Sequence, residues 1–373
     1  MYISSNYDSG NITIIEANNP QNIKLEIPND TNSEHFQWFN FRISNVKKED
    51  LKIHITNAEK ASYPEGWENY NACASYDNKT WFRVDTDYVK GELIIKHKPE
   101  FNTVYYSYFA PFTYQDHQKL ISHCESFDNC KQTTIGQTIE GKDIDMLTIG
   151  DENNKKKVWV IARQHPGESM AEWYIKGMLE RLLDKNDSIS YSLLKECVFY
   201  VVPNMNIDGS IAGNLRTNTL GVNYNREWNE PSIENSPEVF YVRNLMDEKG
   251  CSMSLDIHGD EGLPYNFVSR NEGIPGYNAY LKNIEEKFIT SWQRVCPDFQ
   301  TKFGYPKSEP GKANLAVAAK HIGQRFDCLS LTMEMPFKDN ADLPCEKYGW
   351  SPLRAEKLGA SVLHAIFEIK EEL

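Results

Sequence analysis

The sequence predicts an α/β protein whose mixed, largely parallel sheet is flanked by helices and preceded by a small antiparallel β-sandwich domain. Up to about residue 112, short apolar runs rich in β-branched and aromatic residues are separated by Asn, Asp, Gly and Pro, a texture typical of a sandwich. Beyond that point, buried strands alternate with longer helical patterns, which is typical of βα units. We therefore divide the chain into residues 1–112 and 113–373.

The predicted strands of the first part are short and closely spaced, and no helical period of useful length interrupts them. Their sequences are NITIIEA, IKLEIP, FQWFNFRIS, LKIHITNA, TWFRVDTDYVKGELIIKH and TVYYSYFAPF.

In the second part we predict helices at YQDHQKLISHCESF, from Ser169 onwards, at LKNIEEKFITSWQRV and at SPLRAEKLGASVLHAIFEIKEE. The helix from Ser169 is amphipathic, because Ala171, Ile175, Met178 and Leu182 recur at helical spacing. The predicted strands of this part are DIDMLTIG, KVWVIA, CVFYVVPNMN, CSMSLDIHG and CLSLTMEMP.

Composition limits the classes of partner. The formal net charge of −13 argues against nucleic acid or an anionic membrane surface, because both would repel the chain. No signal peptide and no apolar run of membrane-spanning length is found, so we expect a cytoplasmic protein. The 8 cysteines form no CxxC pair, and we expect them to be thiols. The oligomeric state cannot be predicted.

Polar residues at the ends of the buried strands indicate a metal site. Ligands of an open α/β sheet bind beyond the carboxyl ends of its strands. One such end is followed by His165 and Glu168, another carries His258, and a third carries Glu334. Two histidines and one carboxylate form a zinc site that leaves a position open for water, and Glu334 is available as the general base.

The spacing of His165 and Glu168 is weak evidence alone, because such pairs often belong to a solvated helix start. The intervening Pro-Gly strengthens it, since glycine permits a tight turn that brings both side chains to one point. Taken by itself, His258 is more typical of a core histidine than of a metal ligand.

The segment 204–228 is rich in Asn and Gly, and we predict that it is a loop. It carries Arg216 and Arg226 close to the predicted metal site. These arginines could form surface ion pairs, or their planar guanidinium groups could bind a carboxylate.

Five ordered motifs carry a resemblance to a known family: HPGE, NIDG followed by GNLR, NYNREW, DIHG and LTMEM. Together they resemble the M14 zinc carboxypeptidases, and among these the cytosolic, or Nna1-like, branch, which carries a small β-domain before the catalytic domain. The segment YYSYFAPFTYQDHQKL at the domain junction is similar to that branch as well. The resemblance is strong over about 260 residues and rests on architecture in the first 110 or so.

The resemblance implies that one Zn²⁺ per chain is bound by His165, Glu168 and His258, and that Glu334 activates the attacking water. It also implies that Arg216 stabilises the oxyanion of the reaction, and that Asn225 and Arg226 hold the terminal carboxylate of the substrate. The implied substrate is the C-terminus of a peptide or protein, cleaved at a peptide bond or at an isopeptide-like bond to glutamate.

Two features depart from the family pattern. Many relatives have aspartate where this chain has Asn223, which would accept a hydrogen bond from the first zinc histidine and supply less negative charge. Asp256 is a candidate partner for His258. A tyrosine that some relatives bring over the substrate has no certain counterpart, and Tyr305 is our candidate.

The side-chain pocket is expected between about residues 300 and 334, where four cations lie: Lys307, Lys312, Lys320 and Arg325. Eukaryotic relatives of this branch remove glutamates, so the resemblance makes a basic pocket at Lys312 attractive. The competing interpretation is that these lysines are solvated surface.

Two other functions compete with the carboxypeptidase. One is a zinc deacylase or amidase of the aspartoacylase type, acting on N-acyl amino acids, which shares the HxxE and later histidine. The GNLR and NYNREW segments, together with a separate N-terminal β-domain, favour the peptidase over it. The other is a non-catalytic binding protein on the same fold, which is opposed by the presence of the complete set of site residues.

Overall fold

The computed structural model describes all 373 residues, and its first part consists of two five-stranded sheets. The strands of this part are β1 (Tyr2–Ser4), β2 (Thr13–Glu16), β3 (Ile23–Glu26), β4 (Asn40–Ser44), β5 (Leu51–Ile55), β6 (Cys73–Ser75), β7 (Trp81–Arg83), β8 (Thr86–Val89), β9 (Glu92–His97) and β10 (Thr103–Ser107). One sheet has the order β1-β4-β10-β6-β7 and the other has the order β2-β3-β5-β9-β8.

Alternation of apolar and polar residues explains how these two sheets form one core. In β3, β5 and β9 every second side chain is buried, because successive residues of a strand point to opposite faces. The buried apolar residues of both sheets belong to one cluster. All strand pairs are antiparallel except β3 and β5, which are parallel.

The second part contains a seven-stranded mixed sheet with the order β11-β12-β14-β13-β15-β17-β16. Its strands are β11 (Cys130–Gln137), β12 (Asp143–Ile149), β13 (Lys156–Ala162), β14 (Cys197–Val202), β15 (Met253–Asp260), β16 (Phe267–Ser269) and β17 (Leu329–Pro336). The four adjacent strands β14, β13, β15 and β17 are parallel, and the outer pairings are antiparallel. The predicted fold class, a mixed α/β sheet preceded by an antiparallel β-domain, is confirmed.

Eight α-helices accompany this sheet: α1 (Tyr114–Glu125), α2 (Met170–Leu182), α3 (Ser188–Leu194), α4 (Ile207–Ala212), α5 (Pro237–Lys249), α6 (Ala279–Val295), α7 (Ala318–Phe326) and α8 (Pro352–Ile369). Helices α2 and α8 cross at Gly177 and Gly359. A β-carbon at Gly177 would lie 2.0 Å from the carbonyl oxygen of Glu356, and one at Gly359 would lie 2.0 Å from that of Tyr174. Only glycine allows the two backbones to approach this closely. None of these helices combines the length and the apolar character that crossing a bilayer requires.

The segment 204–228 differs from the loop predicted from its Asn and Gly content, because it contains α4 and a 3₁₀ turn at Tyr224–Arg226. The same Asn and Gly residues also mark the two ends of a helix. The Asn206 side chain caps the start of α4 by accepting a hydrogen bond from the backbone N–H of Gly209, and Gly213 ends the helix in the left-handed conformation.

The two parts of the chain share buried surface. The apolar cluster of the sandwich continues into α2, α8 and the central strands of the second sheet. The ring of Tyr108 stacks on Phe337 with centroids 4.4 Å apart, and the Arg83 guanidinium donates to the carbonyl oxygens of Phe337 and Trp350. The division at residue 112 stays a prediction, since the segment around it is buried between the two parts.

Candidate active site

Parallel order brings the predicted site residues to one edge of the second sheet. Strands β13, β15 and β17 are neighbours, so their carboxyl ends lie side by side. His258 in β15 and Glu334 in β17 are register partners, directly opposite each other. His165 and Glu168 follow the end of β13, which pairs with β15 on the side opposite β17.

The turn between β13 and α2 is held by close backbone contacts. The N–H of Gly167 donates to the carbonyl oxygen of Leu215 at 2.9 Å, and a β-carbon at this glycine would approach the same oxygen to 2.9 Å. The buried Arg163, which has a left-handed φ of 57°, donates from Nε to the carbonyl oxygen of Pro166 at 2.9 Å. Glycine at position 167 therefore lets the turn pack against the segment that carries Arg216.

Three ligand atoms converge beyond this turn. His165 Nδ1 lies 2.7 Å from Glu168 Oε1, His258 Nδ1 lies 2.8 Å from Glu168 Oε2, and the two Nδ1 atoms are 3.2 Å apart. All three residues are buried, and one ligand atom from each lies within 4.8 Å of the others. A carboxylate and two imidazoles in this arrangement can hold a zinc ion.

The outer partners of the imidazoles support this use. His165 Nε2 lies 3.1 Å from Asn223 Oδ1, and His258 Nε2 lies 2.9 Å from Asp256 Oδ2. Both oxygens are acceptors, so each Nε2 carries a proton and each Nδ1 is the nitrogen available to a cation or a proton at the shared point. Two facing lone pairs beside a carboxylate repel one another unless a cation or a proton lies between them, so the donor set fits a metal ion.

Electrostatics at the three residues agree with a cation site. Burial lowers the pKa of His165 to about 4, with Arg216 acting in the same sense and Glu168 opposing, so this imidazole is neutral at pH 7. Burial also acts to lower the pKa of His258, but Asp256 and Glu168 outweigh it and raise this pKa. His258 therefore carries a proton that a metal ion would displace.

Glu334 is a buried carboxyl group beside these ligands. Its Oε2 atom has no hydrogen-bond partner in the protein. Burial raises the pKa of Glu334, and the carboxylates of Glu168 and Asp260 act in the same sense while His258 opposes them. An unpartnered carboxylate of raised pKa is well suited to accept a proton during a reaction.

A cavity of about 740 Å³ contains nearly all of the predicted site residues. The predicted residues that line it are His165, Glu168, Arg216, Asn225, Arg226, His258, Tyr305 and Glu334. Lys312 is exposed and does not line this cavity. Residues that the sequence did not single out also line it, among them Tyr63, Glu65 and Glu261.

The two arginines are directed at this cavity without a carboxylate partner. The Arg216 guanidinium lies 5.6 Å from the centre of the Tyr63 ring. Arg226 donates to the carbonyl oxygen of Asn225 at 2.6 Å, and burial together with Arg216 lowers the pKa of Arg226. The Asn225 side-chain oxygen accepts from the N–H of Ala318 at 2.8 Å, which leaves its amide group to the cavity side near His258. Two neighbouring cations of this kind favour binding of an anion.

Tyr305 lies on the irregular segment before α7. Its hydroxyl donates to Asp260 Oδ2 at 2.6 Å, and its ring meets Phe267 edge-on with centroids 5.0 Å apart. Although Tyr305 as a whole is 46% exposed, desolvation of its hydroxyl, together with the carboxylates of Glu334 and Asp260, raises its pKa. The side chain is thus at the cavity and tied to its wall.

Lys320 is the buried cation of the pocket segment. It lies in α7, is 8% exposed, lines the cavity and has no carboxylate within ion-pair distance. Burial lowers its pKa, and Glu272 and Glu285 oppose this. The sequence contains one sign of this burial: Ala319 and Gly323, which lie on the buried face of α7, flank Lys320.

Comparison with known proteins agrees with this geometry. The protein-family model for the cytosolic carboxypeptidase N-terminal domain matches residues 3–109. The family model for the zinc carboxypeptidases matches residues 120–356, which is more than half of the chain. The chain belongs to the M14 zinc carboxypeptidase family. It is therefore a metallocarboxypeptidase, a hydrolase of the exopeptidase class.

Several relatives of this carboxypeptidase span its whole length. An uncharacterized protein of Zymomonas mobilis is 42% identical over 373 residues, which cover 100% of this chain and 97% of that protein. The crystal structure of a metallo-carboxypeptidase from Pseudomonas aeruginosa, in complex with (2-guanidinoethylmercapto)succinic acid, is 41% identical with a TM-score of 0.98 and covers 100% of both chains. Cytosolic carboxypeptidase 1 of Gallus gallus is 27% identical over 350 residues; the alignment covers 81% of this chain but only 28% of that larger protein.

Proposed function

We propose that this carboxypeptidase binds one zinc ion per chain through His165, Glu168 and His258 and removes the C-terminal residue of peptides or proteins, with a preference for an acidic residue. The observation that carries the proposal is the meeting, in one cavity, of three convergent ligand atoms, an unpartnered carboxylate and two arginines without carboxylate partners. Zinc bound there supplies a Lewis acid that polarises a carbonyl and lowers the pKa of water.

The residues of the chain divide the remaining work. Glu334 Oε2 accepts a proton from the attacking water and passes it to the amine of the leaving residue. Arg216 donates hydrogen bonds to the oxygen on which negative charge develops. Arg226, with the Asn225 amide beside it, binds the terminal carboxylate of the substrate, and this contact selects a chain end rather than an internal bond.

The dependence on a free chain end can be tested with two peptides that differ only at the terminus. The zinc-loaded enzyme is expected to release the last residue of the free acid and to cleave its C-terminal amide at least about 100-fold more slowly, because the amide leaves Arg226 without an anionic partner. Release is followed by mass spectrometry. Equal cleavage of both peptides, or turnover of N-acyl amino acids in preference to peptides, would contradict the proposal.

The preference for an acidic residue rests on Lys320. An ammonium group that is buried without a carboxylate partner is costly, and a carboxylate from the substrate side chain would relieve that cost. Lys312, the candidate for this role in the sequence, is exposed and outside the cavity.

Lys320→Met is expected to remove the preference for glutamate over glutamine at the last position. A charge-assisted hydrogen bond of about 1.5–3 kcal/mol corresponds to a preference of roughly 10- to 100-fold in kcat/KM. Lys312→Met is the matched control, because it removes an exposed ammonium group and should keep the preference. Since burial lowers the pKa of Lys320, the preference of the unmodified enzyme should decline as the pH rises through that lowered value. An unchanged ratio in Lys320→Met would refute this assignment.

A further inference from the structure

The N-terminal β-domain contacts the segment that carries Arg216 over several residues. Asn11 Nδ2 donates to the carbonyl oxygen of Gly213 at 3.0 Å, the N–H of Thr31 donates to Asn214 Oδ1 at 3.1 Å, and Asn32 Nδ2 donates to the carbonyl oxygen of Thr219 at 2.8 Å. The segment itself has no regular secondary structure from residue 214 to residue 223. These contacts from the N-terminal domain add to the hydrogen bonds that the segment makes within itself and with Gly167.

Asp30 is the central contact of this interface. Its carboxylate accepts hydrogen bonds from three successive backbone N–H groups, those of Leu215 at 2.6 Å, Arg216 at 2.7 Å and Thr217 at 3.0 Å, and from the Thr217 hydroxyl at 3.2 Å. The side chain is 3% exposed. Three consecutive N–H groups that face one point form an anion-binding nest, and here a carboxylate from the other domain occupies it.

The same domain also contacts the guanidinium end of Arg216. The Tyr63 ring lies 5.6 Å from this guanidinium. Tyr63 is held in turn by Gln37, whose Oε1 accepts from the Tyr63 N–H at 2.8 Å and whose Nε2 donates to the Tyr63 carbonyl oxygen at 3.0 Å. Backbone and side chain of Arg216 are thus both placed by residues of the N-terminal domain.

We propose that Asp30 is a positioning residue for Arg216, so that the N-terminal β-domain completes the catalytic site. The inference rests on the proposed role of Arg216 as the group that stabilises the oxyanion. Hydrogen bonds of this kind act only when the donors stand within tenths of an ångström of the developing charge, and a displacement of about 1 Å can cost roughly 100-fold in rate. Asp30 provides that placement without touching the substrate.

Asp30→Asn tests the inference, because it keeps the size of the side chain and turns an amide N–H₂ group toward backbone donors. We expect kcat to fall by roughly 30- to 100-fold, with KM changed less than about 3-fold and zinc content unchanged. Asn32→Ala is the matched control at the same interface. It removes one hydrogen bond to Thr219, away from Arg216, and should leave kcat within about twofold. A loss of kcat in Asn32→Ala equal to that in Asp30→Asn would overturn the inference, because it would indicate general loosening of the interface.

A double-mutant cycle separates positioning from a merely structural role. If Asp30 acts through Arg216, the double variant Asp30→Asn/Arg216→Ala should have the kcat of Arg216→Ala alone. If the loss of kcat in the double variant equals the product of the losses in the two single variants, the inference is wrong and the proposed function stands. An Arg216→Ala variant of full activity would overturn both. Should Asp30→Asn fail to fold, Tyr63→Leu gives the same test: its loss of kcat should also vanish in the Arg216→Ala background, and a loss that persists there would contradict the role of the N-terminal domain.

Discussion

Glu334→Gln is expected to lower kcat by about 10³- to 10⁴-fold and to leave zinc binding intact. The amide has nearly the same shape as the carboxylate but cannot accept a proton, and proton transfer by a positioned group contributes up to about 10⁴-fold to catalysis. Glu334 is not one of the three convergent ligands, so the metal content of the variant should equal that of the unmodified enzyme.

The loss must be distinguished from a general effect of removing a buried acid from the cavity. Glu261→Gln is a suitable control, since Glu261 is also a buried carboxyl group that lines the cavity and has a pKa raised by burial. We expect this variant to keep at least about a tenth of the original kcat, because no proton transfer is assigned to it. Retention of more than a tenth of kcat by Glu334→Gln, with zinc bound, would rule out Glu334 as the base.

Removal of the metal is expected to abolish activity and to lower the melting temperature of the protein. A chelator should inactivate the enzyme completely, and one equivalent of zinc per chain should restore it. The ligand atoms come from two strand ends that meet only in the folded chain, so zinc bound to the native state would stabilise it by mass action. Zinc binding should also weaken as the pH falls, since the raised pKa of His258 means that a proton competes for the same site.

Substitution of the ligands makes this test specific. His165→Ala and His258→Ala should each lose zinc at concentrations that saturate the unmodified enzyme, a larger effect than the 10- to 100-fold typical for removing an outer partner of a ligand. His321→Ala removes a histidine outside the cavity and should bind zinc normally. Full zinc occupancy in either ligand variant, measured by atomic absorption, would contradict the proposed site.

The parallel central strands were predictable because their apolar runs are continuous and each ends in polar residues. This pattern reflects burial on both faces of the sheet, which is a property of the local sequence. It also placed His165, His258 and Glu334 at one edge, since the carboxyl ends of parallel neighbours must coincide. The parallel pairing of β3 and β5 could not be predicted, because alternation gives the face of each side chain but not the direction of the neighbouring strand.

Contacts between distant segments account for the rest of what the sequence did not reveal. Asp30 and Tyr63 are ordinary residues in a β-rich region, and nothing local indicates that they meet Arg216, which follows Asp30 by 186 positions. The resemblance makes Lys312 an attractive pocket residue, but it does not reveal the burial of Lys320, which depends on how α7 packs.

The continuous apolar cluster has a consequence for protein engineering. Phe337 directly follows β17, the strand that carries Glu334, and is covered by the Tyr108 ring. A fragment that starts after the sandwich would therefore expose that surface to water. Anyone who recombines catalytic domains of different relatives should therefore exchange the sandwich together with its own β17 and α8. The segments on both sides of this interface come from the two ends of the chain, and they have to be exchanged together.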